Sequence, residues 1–385
     1  MQQVIAPVKQ RGTGRIQFID FARGVVMALM AWDHISGFWQ KGIHHHGGEG
    51  VMGRAPEFLN TTWFLARFVS HWCAPTFIFL AGTVLALSTI KRLGRGESQR
   101  DITFRMIKRG GVLLLLEMFV VTAAFGGSPL YFGVIACIGI CFMIFSVYRR
   151  LPPAAILLVS LIIVISHPFI DLSFIPTDNP IAWYLRVILH EPNHDWYPFT
   201  GLYPIFPWIG VMGLGWFFGT FLSELDVTRM KKLKSPLIVT GVLSIAAFFL
   251  VRWLNGFGNL LPRQGGTLMD WLYVSKYPPS LAFILWTLGG MCLFMAVGLH
   301  LEEWPGYDKG WTGVILTFGR NPLFFYLTHL WLYRVRPGWT PRTVFYLDLQ
   351  TTILFWLVGL YILWRLCLRY EKFKRSHPDS LLQYI

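Results

Sequence analysis

Four histidines, His34, His71, His167 and His329, lie inside or at the ends of long apolar runs. Imidazole titrates near neutrality and can take a proton from a hydroxyl or an amine, so such a group suits general-base chemistry. Asp33 adjoins His34, and Arg67 lies one turn before His71. Asp171 follows His167 by one turn, and Arg320 and Asn321 precede His329 by about two. Lys276 opens a further apolar run. Ionisable groups at bilayer depth are costly and are functional candidates by default. Taken singly, each histidine is a hydrogen-bonded structural residue. Taken together, four imidazoles at similar depth on separate runs point to a shared polar cavity. Adjacent residues on a helix diverge by about 100°, so Asp33 does not face His34 but can orient another histidine. No HxxxH or HExxH pair occurs within one run, and no metal is expected. His44, His45 and His46 form a second cluster on a polar loop, either solvated or folded over the cavity mouth.

Other charges lie nearer the opposite end. Asp20 and Arg23, spaced i,i+3, form an ion pair that positions helices. Glu117 falls in the middle of an apolar run and is expected either to be protonated or to pair with an arginine of a neighbouring helix, for which Arg23 and Arg320 are the candidates. The same two arginines suit the phosphates of an anionic donor entering from inside.

The elements that carry these residues are membrane spans. Of the 385 residues 54% are hydrophobic and only 14% charged, with a mean hydropathy of +0.49. A soluble domain carries roughly a quarter charged residues. Apolar runs of spanning length occupy 17–39, 62–90, 107–125, 130–148, 153–171, 203–222, 236–254, 278–300, 311–334 and 347–369. Lys and Arg concentrate in alternate connections: before the first run, at 91–109, at Arg149 and Arg150, at 229–234, and after Arg369. The positive-inside rule therefore predicts both termini in the cytoplasm. The expected fold is all-α, a polytopic bundle of about ten transmembrane helices. A cytoplasmic tail spans 1–14, the membrane domain 15–370 and a second tail 371–385. The outer loop 172–202 is expected to hold an amphipathic piece around Ile181–Leu189, and 255–277 is a Gly-rich polar loop. The net charge of +14 is explained by topology, and no basic patch interleaved with aromatics indicates nucleic acid. The five cysteines lie in apolar runs and behave as small hydrophobes. The first 14 residues lack an apolar signal core, so the first span does the targeting. There is no internal repeat of the kind seen in many secondary transporters.

Five separate segments resemble one bacterial membrane family. They are Arg15-Ile-Gln-Phe-Ile-Asp20-Phe-Ala-Arg23-Gly24 with Leu29-Met30-Ala-Trp-Asp33-His34; Arg67-Phe-Val-Ser-His71-Trp-Cys73-Ala-Pro75 running to Gly82; Tyr203-Pro204-Ile-Phe-Pro207-Trp208; Lys276-Tyr-Pro278-Pro279-Ser280; and Gly319-Arg320-Asn321-Pro322 running to His329. The family is similar to the catalytic domain of heparan-α-glucosaminide N-acetyltransferase. The resemblance implies transfer of an acyl group from acetyl-CoA, or another acyl-CoA, to a hydroxyl or amine acceptor such as a sugar or envelope component. It implies a multi-pass protein of the bacterial cytoplasmic membrane, and leaves room for a homodimer. In that enzyme an Asn lies near the outer end of the matching helix and a catalytic His shortly downstream. Counted from Asp20-x-x-Arg23-Gly24, the Asn position falls on His34 and the His position near His45. His34, His71, His329, Asp33 and His45 are thus the expected catalytic set, while Arg23, Arg67, Arg320, Asn321 and Lys276 are expected to hold the donor and its oxyanion. The alternative is a proton-coupled transporter or flippase using the same histidines as a relay.

Overall fold

The computed structural model describes residues 15–39, 50–51, 61–125, 130–175, 178–191, 199–335, 347–377 and 380. Roughly three quarters of these residues are helical. In chain order the helices are α1 (Gln17–Trp39), α2 (Thr61–Phe68), α3 (Cys73–Leu93), α4 (Gln99–Leu116), α5 (Thr122–Phe125), α6 (Val134–Tyr148), α7 (Pro153–Ser166) and α8 (Pro180–Leu189). There follow α9 (Ile205–Ser223), α10 (Val227–Lys231), α11 (Lys234–Leu254), α12 (Leu268–Leu272), α13 (Leu281–Leu301), α14 (Gly310–Arg320), α15 (Pro322–Arg334) and α16 (Leu349–Ser376). Helix starts follow capping chemistry: Ser98, Asn179, Asp226, Thr267, Ser280 and Asp348 each accept a backbone N–H of the first turn.

Among the described residues, five helical stretches are long and apolar enough to cross a membrane: Thr61–Leu93, Ile205–Ser223, Val227–Leu254, Leu281–Leu301 and Leu349–Ser376. α1 has the length but is interrupted by Asp20, Arg23 and Asp33. α11 and α16 expose Val239, Leu243, Leu250, Leu354, Leu357 and Tyr361. An outward apolar face of that extent is stable only against lipid. The chain is a multi-pass membrane protein.

α1 is the hub, buried along most of its length and in contact with α3, α13, α14, α15 and α16. Glycines allow the closest approaches. A Cβ on Gly24 would collide with the Ile315 carbonyl, and one on Gly319 with that of Asp20. The α3–α9 seam is built likewise, since Gly82 and Gly215 meet the carbonyls of Met212 and Phe79. Small residues that let backbones touch are the usual packing device within bilayers.

Several expected spans are modified; those at 130–148 and 153–171 shorten to α6 and α7. The run at 62–90 is α2 and α3 joined through a turn at Val69–Trp72. The run at 107–125 starts earlier, at Gln99, and widens into a π-turn over Glu117–Val121. The run at 311–334 is not one helix. It breaks at Asn321 (φ −124°, ψ 50°), where Pro322 cannot donate to the preceding turn. Trp311, Ile315 and Gly319, one face of α14, all meet α1 between Asp20 and Gly24. α14 therefore lies across the first turns of α1, whereas α15 runs along it to Tyr333, whose carbonyl accepts from Trp39 Nε1.

Two short parallel strand pairs lie in the connections. β1 (Gly50–Val51) pairs with β4 (Ser275–Tyr277), and β2 (Leu130–Phe132) pairs with β3 (Phe199–Gly201) in the register Leu130 to Phe199. The amphipathic segment expected at 181–189 is α8. The loop at 255–277 is ordered by buried Arg252, which donates to Asn259 Oδ1 (2.6 Å) and to the carbonyls of Leu261 (2.8 Å), Trp271 (2.9 Å) and Asp270 (2.5 Å). That knot carries β4 and, with it, Lys276.

Candidate active site

His34 and His329 meet directly. His34 Nδ1 lies 2.6 Å from His329 Nε2, and their rings stack with centroids 4.9 Å apart. The tautomers follow from the next partner. His329 Nδ1 is 2.9 Å from the Phe325 carbonyl oxygen, which can only accept, so Nδ1 carries the hydrogen. His329 Nε2 is then the acceptor and His34 Nδ1 the donor. The remaining lone pair is on His34 Nε2. His329 is fully buried and His34 half-buried against the rings of Phe38 and Phe125. A histidine whose second nitrogen is fixed by another group is the general-base arrangement of triad enzymes.

Asp33 points elsewhere, to Arg67, with which it forms a close ion pair. Ser70 Oγ accepts from Arg67 Nη1 (2.9 Å) and donates to Asp33 Oδ1 (2.7 Å). His71 is buried between the rings of Phe68 and Phe283, and neither ring nitrogen has a hydrogen-bond partner among the described residues. It lies within electrostatic range of Lys276 and Arg67. Lys276 is buried in β4 with its Nζ 5.1 Å from the centre of the Tyr277 ring, whose hydroxyl is 3.3 Å from that of Tyr203.

A second charged layer sits lower on α1. From Arg23 to His34 the helix rises about 16 Å. Arg23 Nη1 reaches Asp20 Oδ1 (3.5 Å) and donates to the Gly319 carbonyl (2.9 Å), while Arg15 bonds Asp20 and the Arg320 carbonyl. Asn321 Nδ2 donates to Glu371 Oε1 and to the Thr317 carbonyl, both at 2.9 Å. Asn321, at the helix break, is thus about 12 Å along the axis of α15 from His329 and not beside the histidine pair.

Between the layers runs a cavity with about 810 Å³ of empty space, its open mouth included. Arg23 and Arg109 line it at one end and Val134, Ile135 and Tyr326 at the other. The wall along α6 extends from Val134 to Phe142, about 12 Å. The Tyr326 ring lies 5.7 Å from that of His329.

The catalytic-domain profile of heparan-alpha-glucosaminide N-acetyltransferase matches residues 15–255. The chain belongs to this family. No curated protein matches it. The family's matched region takes in Asp33, His34, Arg67 and His71, and ends before Lys276, Arg320, Asn321 and His329. The histidine pair therefore joins a residue inside the family match to one beyond it. The family is one of membrane acetyltransferase catalytic domains, so the coarse activity is that of a transferase.

Of the four histidines grouped from the sequence, the structure joins two. His167 packs instead on His190, with rings 5.8 Å apart, and its carbonyl accepts from His190 Nε2 (2.8 Å). Depth along an axis carries no information about azimuth, which is why His167 looked equivalent. His44, His45 and His46 lie outside the described residues. Glu117 has neither Arg23 nor Arg320 as its partner. Its Oε2 accepts from Ala136 N (2.8 Å), so it caps the first turn of α6. Tyr203, Tyr277 and Ser70 were not singled out as site residues from the sequence. Tyr203 and Lys276-Tyr277 lie in segments that carry the family resemblance, but hydroxyl neighbours on separate elements leave no periodic trace.

Proposed function

We propose that this protein is an acyltransferase that moves an acetyl or longer acyl group from acyl-CoA to a hydroxyl or amine acceptor, with His34 as general base. The observation that carries the proposal is the His34–His329 pair, whose hydrogen-bond chain leaves a lone pair on His34 Nε2. His34 Nε2 takes the acceptor's proton as the acceptor oxygen or nitrogen attacks the thioester carbonyl. The tetrahedral intermediate collapses with cleavage of the C–S bond. The proton passes from His34 to the departing thiolate, giving free thiol and acylated acceptor. Lys276 stands nearer than Asn321 to the residues around Asp33 and is the better candidate to donate to the oxyanion.

The cavity supports a donor threaded along α1. A pantetheine arm has about 13 bonds from phosphorus to sulfur, which at peptide-like extension span roughly 15 Å. This matches the rise of about 16 Å from Arg23 to His34. Phosphates near Arg23 would bring the sulfur to the histidines. The loop charges support ten crossings with both termini inside and the histidine layer toward the outer face, as for a bacterial cytoplasmic membrane protein whose acceptor is a sugar, an amine or an envelope component.

The test is transfer of labelled acetyl from acetyl-CoA by the purified protein to a panel of sugars and amino sugars, comparing wild type with His34→Ala. Transfer should fall by about 10²- to 10⁴-fold with the thermal unfolding curve retained. Undiminished transfer in a folded variant would remove His34 from the mechanism.

A further inference from the structure

We propose that residues 167–175 and α8 form an interfacial membrane anchor, whose apolar face sits among phospholipid chains at the histidine end of the bundle. The anchor is independent of acyl transfer and goes beyond the function proposed above.

Its surface continues the lipid-facing sides of two spanning helices. Leu158, Ile162, Ile165 and Phe169 are exposed at helical spacing along α7 and the turn that follows it, one apolar stripe. Phe169 stacks on Phe257, just beyond α11, with ring centres 5.1 Å apart and planes 12° apart. α11 brings its own exposed Leu250, Trp253 and Leu254 to the same place. The stripe does not stop at the helix ends. Phe174 is 78% exposed, Ile181 71% and Leu185 51%. Two ties hold this segment closed: His190 Nε2 donates to the His167 carbonyl (2.8 Å), and Arg186 Nη1 to that of Ile175 (3.3 Å).

α8 presents apolar side chains on both faces. Trp183 packs on Phe199 of β3 (6.1 Å) and Val187 is buried, while Ile181 and Leu185, one turn apart, lie on the opposite face. Arg186, the one charged side chain of α8, is engaged by Glu191 and the Ile175 carbonyl, which leaves the outward face without a charge. A contiguous apolar patch of this kind is an interaction surface. Lipid is the occupant because the exposed stripes of α7 and α11 run into the segment unbroken. Their meeting point is aromatic, with Phe169, Trp253 and Phe257, as at bilayer interfaces. Exposed Asp171 and Asp178 share the segment, a mixed surface that suits an element lying in the interface and not a span.

The anchor is coupled to the wall of the site. Tyr184 also packs on Phe199 (5.2 Å), and β3 pairs with β2. Tyr131 of β2 lies 5.0 Å from Phe125, whose ring meets that of His34 edge-on at 5.5 Å. Lipid contact at α8 thus sets the level of the wall beside His34.

The experiment uses the full-length Ile181→Cys variant, labelled with bimane and held in phosphatidylcholine nanodiscs. The native cysteines are all buried, so the unsubstituted protein is the labelling blank. Fluorescence should fall about twofold or more when the lipid carries a nitroxide roughly 5–10 Å below its headgroup. Aqueous iodide should quench the label about fivefold less than one on Lys309→Cys, an exposed position between α13 and α14. Leu185→Cys, one turn along, gives the same reading should Ile181→Cys fail to fold. Iodide quenching equal to that at position 309, with no effect of the nitroxide, overturns the anchor. Protection from both quenchers, with cross-linking of the introduced thiol between two chains, puts a second copy on this face and also overturns it. No turnover is read, so either result leaves the acyltransferase proposal where it stood.

Discussion

α1 carries an aspartate in each of two charged layers, and the two are spent differently. In the lower layer Asp20 is held by Arg23 of its own helix and by Arg15, while Arg23 is anchored on the Gly319 carbonyl. The bonds from Arg23 to the Gly319 carbonyl and from Arg15 to the Arg320 carbonyl tie α1 to the end of α14, so the layer is a latch. In the upper layer Asp33 reaches across to Arg67 on α2, and the next residue, His34, is stacked on His329 from α15. There the ion pair secures the helices, and the imidazole pair retains a basic nitrogen. Buried charge alone does not mark a reactive site; what matters is whether the charged groups meet only each other or also position an imidazole pair.

Substitutions can break that contrast. The largest effect is expected for Asp33→Asn, which takes from buried Arg67 its carboxylate and should cost about 3–5 kcal/mol of stability. Combining it with Arg67→Gln should recover part of the loss, as read from thermal unfolding in detergent. A double variant no more stable than the single would show that the pair is not coupled. His329→Phe keeps the ring volume but removes the acceptor for His34 Nδ1. It should lower kcat about 100-fold, equivalent to about 2.7 kcal/mol, with KM for acyl-CoA little changed. An unaltered kcat would mean that His34 acts without its neighbour.

The lower layer responds through packing. Gly319→Ala drives a methyl group against the Asp20 carbonyl and should destabilise by about 1–3 kcal/mol without a separate effect on kcat in the surviving folded protein. A selective kcat defect at full stability would make the latch part of the chemistry. The smallest effect is expected for Glu117→Gln. The amide oxygen still accepts from Ala136 N, so the cap is kept and the cost is about 1 kcal/mol or less. A cost above about 3 kcal/mol would indicate an ion-pair partner for Glu117 after all.

The sequence by itself determined the membrane character, the amphipathic segment at α8 and the choice of Asp33, His34, Arg67 and His329 as residues to watch. These follow from composition and local periodicity, because lipid forbids unpaired backbone and makes charges conspicuous. The family was also legible, since Asp20-x-x-Arg23-Gly24 and the segment from Arg67 to Gly82 are contiguous stretches. Only the tertiary structure decided which imidazoles meet. His167 and His329 have similar depth in the sequence, but helix rotation turns one toward His190 and the other toward His34. The break at Asn321 likewise set α14 across the first turns of α1 where one continuous span was expected, and the partner of Glu117 proved to be a helix end instead of a side chain. Rotation, crossing angle and cap geometry arise from contacts between distant segments, and no local run of residues records them.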